Sequence, residues 1–219
     1  MNKNSAVKPK SPFLVEQDLF SPLLCDQVID NLADAFIQYE TNNEGDPLVT
    51  SCNDESSSNL ILNTVEHKLI PTIEKHFNVT IDKMSQPQFL WYPENFKDDG
   101  VKCDNSDYIE RKWVKTRSRD FSVTIFLCEY CDSVPFDNDY EVYGGKIEYP
   151  QYNFGFNSER GTAIVHPSDP RFLHHVDQVY TGDLLLARLF LVANESYLYN
   201  PNEYPGDYRS WFENLSVRG

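Results

Sequence analysis

The chain has 219 residues, 40% of them hydrophobic and 14% aromatic, which excludes a disordered polymer and fits one domain able to bury a core without staples. A formal net charge of -15, from 34 acidic against 19 basic residues, excludes a nucleic-acid backbone as its general partner. The 5 cysteines are an odd number with no signal-peptide pattern and no long apolar span beside them, so a reducing, cytoplasmic setting is expected and a membrane is not.

In chain order, residues 1–11 read as a mobile polar arm and 12–195 as the folded domain. Ser21-Pro22 pairs an N-cap residue with proline at the first helical position, and Leu24, Val28, Leu32 and Phe36 recur on one face, so a helix is expected to about Tyr39. Thr41 to Ser58 is polar and reads as a loop, followed by a second helical pattern from Leu60 to Phe77 that Pro71 can kink or split. From Gln86 the pattern changes to short apolar runs between turn residues: Phe89 to Tyr92, Phe121 to Leu127, Lys146 to Tyr149, Thr162 to Val165 and Leu184 to Val192. These are strands. The class is therefore α+β, with the strands in a sandwich or jelly roll and the helices packed outside.

Residues 196–219 form an aromatic, polar tail containing Tyr197, Tyr199, Tyr204, Tyr208 and Trp211, suited to covering a sheet or joining a neighbour. Cys128-Glu-Tyr-Cys131 supplies too few thiols for a structural zinc, and reads as structural. The basic cluster Arg111, Lys112, Lys115, Arg117 and Arg119 reads as a solvated rim, and Arg119-Asp120 as a buried structural pair. His67 and His76 fall on the helical pattern and carry no assigned role.

Four ordered segments carry further information: Arg119 to Leu127, Gly144-Gly-Lys-Ile-Glu-Tyr-Pro150, Gly161 to Ser168, and His174-His-Val-Asp-Gln-Val-Tyr-Thr-Gly182. Together they resemble the Fe(II)- and 2-oxoglutarate-dependent dioxygenases, in their prolyl 4-hydroxylase-like branch, from the Pro12-Phe-Leu-Val-Glu opening through Ala193. The resemblance implies a double-stranded β-helix braced by helices on one sheet. It also implies an iron held by two histidines and one carboxylate, with open positions for 2-oxoglutarate and oxygen.

On this pattern the distal histidine is His174, with Val176, Val179 and Gly182 in register, and its strand neighbour His175 should face the other way. The His-x-Asp pair falls on Lys102-Cys103-Asp104, so Asp104 is present and Lys102 stands where the histidine should be. Asp98, Asp99 and Asp107 are alternative carboxylates nearby. The cation for the far carboxylate of 2-oxoglutarate is expected ten residues after His174, where the chain has Leu184; Arg188 shares its face and is a shifted anchor. Tyr92 is a second cosubstrate-binding candidate if the chain is active.

Two replacements lead to the expectation of a degenerate oxygenase that binds no cofactor and serves as a structural or binding subunit in an oligomeric assembly with protein partners. Because the resemblance extends to phage proteins, a virion is a second location. In this reading the Lys102 ammonium sits near Asp104 and His174 in place of the iron. The alternative is an active dioxygenase using Fe(II) and 2-oxoglutarate to hydroxylate a protein or peptide side chain, with His174, Asp104 and a third, noncanonical group. A metal-free sugar or nucleotide binder has only Trp91 and Tyr92 as stacking candidates.

Overall fold

A computed structural model describes residues 10–42, 50–52, 54–98, 100–133 and 140–204; side chains are described from 10–33 and 54 onward within these ranges. Residues 1–9 of the expected arm, the end of the aromatic tail and Asp99 lie outside the described residues.

Strand β1 (Leu14–Glu16) leads to helix α1 (Pro22–Asn42), where the Ser21 carbonyl accepts from the Leu24 and Cys25 amides as the expected cap requires. The region expected as a loop is partly ordered, with strand β2 (Thr50–Cys52) followed by helix α2 (Glu55–Thr64). The reason is local: the Asp54 carboxylate accepts from the Ser57 amide at 2.6 Å, capping a helix that starts before its apolar pattern does. A π-turn over Val65–Leu69 joins α2 to α3 (Ile70–Phe77). Pro71 has no amide to donate, and the helix accommodates it by this local widening without breaking. Asn78, left-handed at φ 55, ends α3.

The rest is β-structure: β3 (Ile81–Met84), β4 (Gln88–Tyr92), the hairpin β5 (Ser106–Ile109) and β6 (Lys112–Lys115), β7 (Phe121–Phe126) and β8 (Glu129–Tyr130). Then follow β9 (Glu141–Gly144), β10 (Ile147–Tyr149), β11 (Phe154–Phe156), β12 (Ala163–Pro167), β13 (His175–Val176), β14 (Val179–Thr181) and β15 (Leu184–Ala193). All the expected strand runs are present. The β5–β6 hairpin was not legible as strands, because Ser-Asp-Tyr-Ile and Lys-Trp-Val-Lys lack a continuous apolar run.

Seven strands form the major sheet in the order β1-β12-β7-β15-β4-β2, with β3 on β15. Facing it, β10 pairs with β13 and β9 with β14, a second antiparallel layer that folds the chain into a double-stranded β-helix. Strand β15 is buried on both faces: Leu185, Ala187, Leu189 and Leu191 alternate with Leu184, Leu186, Arg188 and Phe190. One row packs toward the helices and the other lines the barrel interior.

Gly144, Gly145, Gly161 and Gly182 all have positive φ, as expected of turn positions. At Gly144 a Cβ would lie 2.3 Å from the Gln178 carbonyl oxygen, and at Gly161 2.1 Å from that of Phe20, so both are sites of close backbone approach. The Gly161 contact includes a hydrogen bond from the Phe20 amide, which fastens the segment entering α1 to the start of β12.

Candidate metal centre

The register of the major sheet decides what faces the interior. β12 and β7 place His166 opposite Ser122, and β7 and β15 place Arg188 opposite Thr124. His166, Ser122 and Arg188 therefore belong to one inward-facing surface. From the opposite layer, His174 enters just ahead of β13, and its main chain bridges Lys102 in both directions, amide to carbonyl, at 2.9 Å. The Asp104 and Asn105 amides both donate to the Ser168 carbonyl at 3.2 Å, which holds the Asp104 loop over the end of β12.

The result is a fully buried cluster of Asp104, His166 and His174 whose ligand atoms lie within 4.8 Å of one another. Asp104 Oδ2 is 3.8 Å from His174 Nε2. His166 Nδ1 is 2.7 Å from the Pro167 carbonyl oxygen and His174 Nδ1 is 3.0 Å from that of Phe172. A carbonyl only accepts, so both imidazoles carry their proton on Nδ1, and both Nε2 lone pairs are left free. Stacking on Phe172 and edge contacts with Tyr149 fix the plane of the His166 ring. Ser122 Oγ donates to Asp104 Oδ2 at 2.6 Å and is itself 2.7 Å from Ser168 Oγ.

The electrostatics fit the same picture. Burial lowers His166 to about 4, aided by His174, and burial also pushes His174 down, so both rings are neutral at neutral pH. Burial alone would raise Asp104, but His174, Arg188 and His166 beside it and the Ser122 hydroxyl hold its carboxyl well below the ordinary range. Two neutral imidazoles with free Nε2 atoms and one ionised carboxylate are the donor set that ferrous iron requires, and the main-chain carbonyls behind the rings are the outer partners of such a site.

Asp104 and His174 come together as the sequence indicated, and His175 points outward with Nε2 3.6 Å from Glu148. Lys102 does not stand in for iron: its ammonium lies on Asp98 at 2.8 Å and its side chain is 39% exposed. Only its backbone reaches His174. Asp98 is thus the partner of Lys102, and Asp107 that of Arg117 and Thr116. Lys115 pairs with Asp120, while Arg119 lies 3.6 Å over the Phe190 ring and donates to the Asp104 carbonyl, so Arg119 and Asp120 do not pair with each other.

His166 is the residue that sequence reasoning missed. It ends the apolar run Thr162 to Val165 and precedes a proline, where it reads as the edge of a strand. The available signal was its period-2 alignment with Ile164, which puts it on the interior face.

At the cosubstrate end, Leu184 is fully buried among apolar neighbours, next to Tyr92 across the β4–β15 pair. Arg188 is buried with Nη1 3.7 Å from Asp104 Oδ1. Its Nε and the Tyr92 hydroxyl are buried without a hydrogen-bond partner. Such orphaned donors call for an acceptor that the protein itself does not supply, which a ligand carboxylate is.

The backbone has the fold of solved prolyl hydroxylases. A viral collagen prolyl hydroxylase from Paramecium bursaria Chlorella virus-1, in its 2OG complex, aligns with a TM-score of 0.60 and 15% identity over 84% of this chain and 97% of that one. A Pseudomonas putida prolyl-4-hydroxylase aligns at 0.57 and 13% identity, covering 84% of this chain and 94% of that one. A Trichoplax adhaerens prolyl hydroxylase, in complex with a hypoxia inducible factor oxygen degradation domain peptide fragment, aligns at 0.56 and 15% identity, covering 83% and 84%. No family model and no curated protein matches the chain. No helix among the described residues is long and apolar enough to cross a membrane.

Proposed function

We propose that this chain, built on the prolyl hydroxylase fold, is an Fe(II)- and 2-oxoglutarate-dependent oxygenase whose metal ligands are Asp104, His166 and His174. The observation that carries the reading is the pair of imidazoles whose Nδ1 atoms are both committed to main-chain carbonyls, leaving two free Nε2 atoms beside one ionised carboxylate. His166, from β12, takes over the donor function that Lys102 cannot perform. Arg188 and Tyr92 are the groups left to receive a cosubstrate carboxylate.

When bound, iron with its 2-oxo acid supplies the oxidising power to hydroxylate an unactivated C–H bond. The protein's part is to hold, orient and exclude. Ser122 fixes the Asp104 carboxylate by donating to Oδ2, and Phe172 and Tyr149 fix the His166 ring. Arg188 supplies a charge that burial does not remove, because the ionised Asp104 beside it offsets the cost of desolvating it. Tyr149, pushed up by burial and then by Asp104, stays a neutral phenol against the two imidazoles. The substrate class is a protein or peptide side chain, supported by the collagen and peptide substrates named for the structural neighbours.

The test is anaerobic loading with Fe(II), then addition of oxygen, ascorbate and 2-oxoglutarate with succinate as the readout. Succinate above a heat-treated control that disappears in His166→Ala supports the reading; none with stoichiometric iron bound overturns it. A second reading is favoured by the 3.7 Å approach of Arg188 to Asp104: a metal-free scaffold in which the guanidinium permanently neutralises the carboxylate. Elemental analysis showing no bound metal after loading would favour that scaffold.

A further inference from the structure

We infer that the segment of residues 197–204, beyond the last strand, sets the orientation of both buried imidazoles, acting from Tyr199 through Phe172; its effect on a bound metal rests on the centre proposed above. Phe172 closes the short 3-10 helix Pro170–Phe172 and is fully buried. Its ring stacks on His166 with centroids 5.6 Å apart at 19°, and its carbonyl lies 3.0 Å from His174 Nδ1. One residue thus holds the plane of one imidazole with its side chain and the proton of the other with its main chain.

A 3-10 helix of three residues is too short to fix its own last side chain. Two clamps do so here. The Asp169 carboxylate accepts from the Arg171 amide at 3.0 Å, and from the guanidinium through Nε at 2.7 Å and Nη2 at 2.9 Å, a bidentate pair. The third nitrogen, Nη1, donates to the Tyr199 carbonyl at 2.7 Å, and the guanidinium lies 4.9 Å over the Tyr199 ring. Held in this way, Tyr199 meets Phe172 edge to face, at 5.2 Å and 85°.

The segment is also anchored behind Tyr199. Tyr204 stacks on Tyr199 at 5.6 Å and on His76 of α3 at 6.3 Å, and the Tyr197 hydroxyl donates to that of Tyr204 at 3.3 Å. The Tyr197 ring lies 4.7 Å from Phe121 of β7. Helix α3 and strand β7 are therefore coupled through three tyrosines to the residue that touches both imidazoles. Removing the Tyr199 ring opens a void against Phe172, and packed neighbours relax partly into such voids. As Phe172 turns, the stack on His166 loosens and the carbonyl leaves His174 Nδ1, so the tautomer that keeps Nε2 free is no longer enforced.

The experiment uses the full chain with nitrogen-labelled histidine, stripped with a chelator, and reads the imidazole nitrogens by long-range proton–nitrogen correlation at neutral pH. His166→Gln and His174→Gln identify the two sets of signals. Wild type should show both rings protonated on Nδ1. Tyr199→Ala should mix the tautomers of both and leave the exposed His67 unmoved. Tyr199→Phe, which keeps the ring and the main-chain carbonyl, should restore the wild-type spectrum. Mn(II) binding, followed by electron paramagnetic resonance, should weaken by about 10–100-fold in Tyr199→Ala, as for a lost outer-shell partner, and stay at the wild-type value in Tyr199→Phe.

A folded Tyr199→Ala whose His166 and His174 signals coincide with those of wild type overturns the inference, because a segment that only adds stability would leave them there. A Tyr199→Phe spectrum displaced as far as that of Tyr199→Ala overturns it as well. If Tyr199→Ala fails to fold, Arg171→Met cuts the tie to the Tyr199 carbonyl and keeps both aromatic rings; displaced imidazole signals in that variant support the inference and unmoved ones overturn it. Equal Mn(II) affinity in wild type and Tyr199→Ala overturns the effect on the metal and leaves the metal centre standing. Absence of Mn(II) binding by wild type overturns the oxygenase reading, while the imidazole spectra of the metal-free chain still decide the role of the segment.

Discussion

The rings of His166 and His174 stand with their centroids 5.5 Å apart at 68°, one on β12 and the other just ahead of β13, each tied through Nδ1 to a main-chain carbonyl. Two layers of the barrel thus each contribute one donor to the same point. Replacing His166 by Ala should weaken Mn(II) binding by more than the 10–100-fold that a lost outer-shell partner costs. His175→Ala, on the outward face, should leave it unchanged. Metal titration of both variants, with their secondary structure verified by circular dichroism, checks the pair.

Ser122 donates at 2.6 Å to Asp104 Oδ2 inside the barrel. Ser122→Ala should therefore cost about 1.5–3 kcal/mol of folding stability, as expected for a hydrogen bond to a charged group, and loosen metal binding by about 10–100-fold. Urea unfolding and a Mn(II) titration measure the two effects separately. A variant that loses stability but holds metal as tightly as wild type would show that Ser122 supports the fold only.

The metal-free protein should lose stability as pH falls from about 6.5 toward about 4, the interval between the ordinary histidine value and the lowered value of His166. The sign follows from proton counting: in this interval the unfolded chain binds a proton on His166 that the folded chain does not, so lowering the pH favours unfolding. For His166 alone the loss is on the order of 3 kcal/mol across the window. His174 and His76, also lowered by burial, add to it in the same direction. Asp104, whose value is depressed, loses its contribution only at still lower pH. Urea midpoints at stepped pH, with chelator present, should show a shallower slope for His166→Gln than for wild type.

Lys102 and Asp98 pair at a half-open position, with side-chain exposures of 39% and 18%. Solvent screening leaves such a pair worth less than about 1 kcal/mol, so Lys102→Met should shift the urea midpoint little. Had the ammonium neutralised Asp104 in the interior, the loss would be several times larger, on the order of 3–5 kcal/mol. A denaturation curve of this one variant distinguishes the two placements.

The strands of the major sheet were legible because their apolar runs are continuous, His174 was legible because Val176, Val179 and Gly182 fix the spacing after it, and Asp104 was legible only through the His-x-Asp pattern of the family resemblance. The inward direction of Arg188 followed from the two-residue period of a strand. Side-chain destinations were harder. Lys102 has a long stem, and whether its ammonium turns toward Asp104 or Asp98 is decided by desolvation, which favours the half-exposed partner and leaves no trace in residue spacing. His166 lies 62 residues from Asp104 in sequence. Only the β12–β7 register, an antiparallel pairing across the hairpins between them, brings it opposite Ser122 and hence to Asp104.

The reciprocal bridge between Lys102 and His174 is made of amides and carbonyls alone. Its geometry is indifferent to the side chain at position 102. A residue can be exchanged there without moving either Asp104 or the segment that carries His174, and in the centre proposed above the second imidazole comes instead from a neighbouring strand, through His166. A centre fastened in this way can change the address of a ligand while keeping its shape.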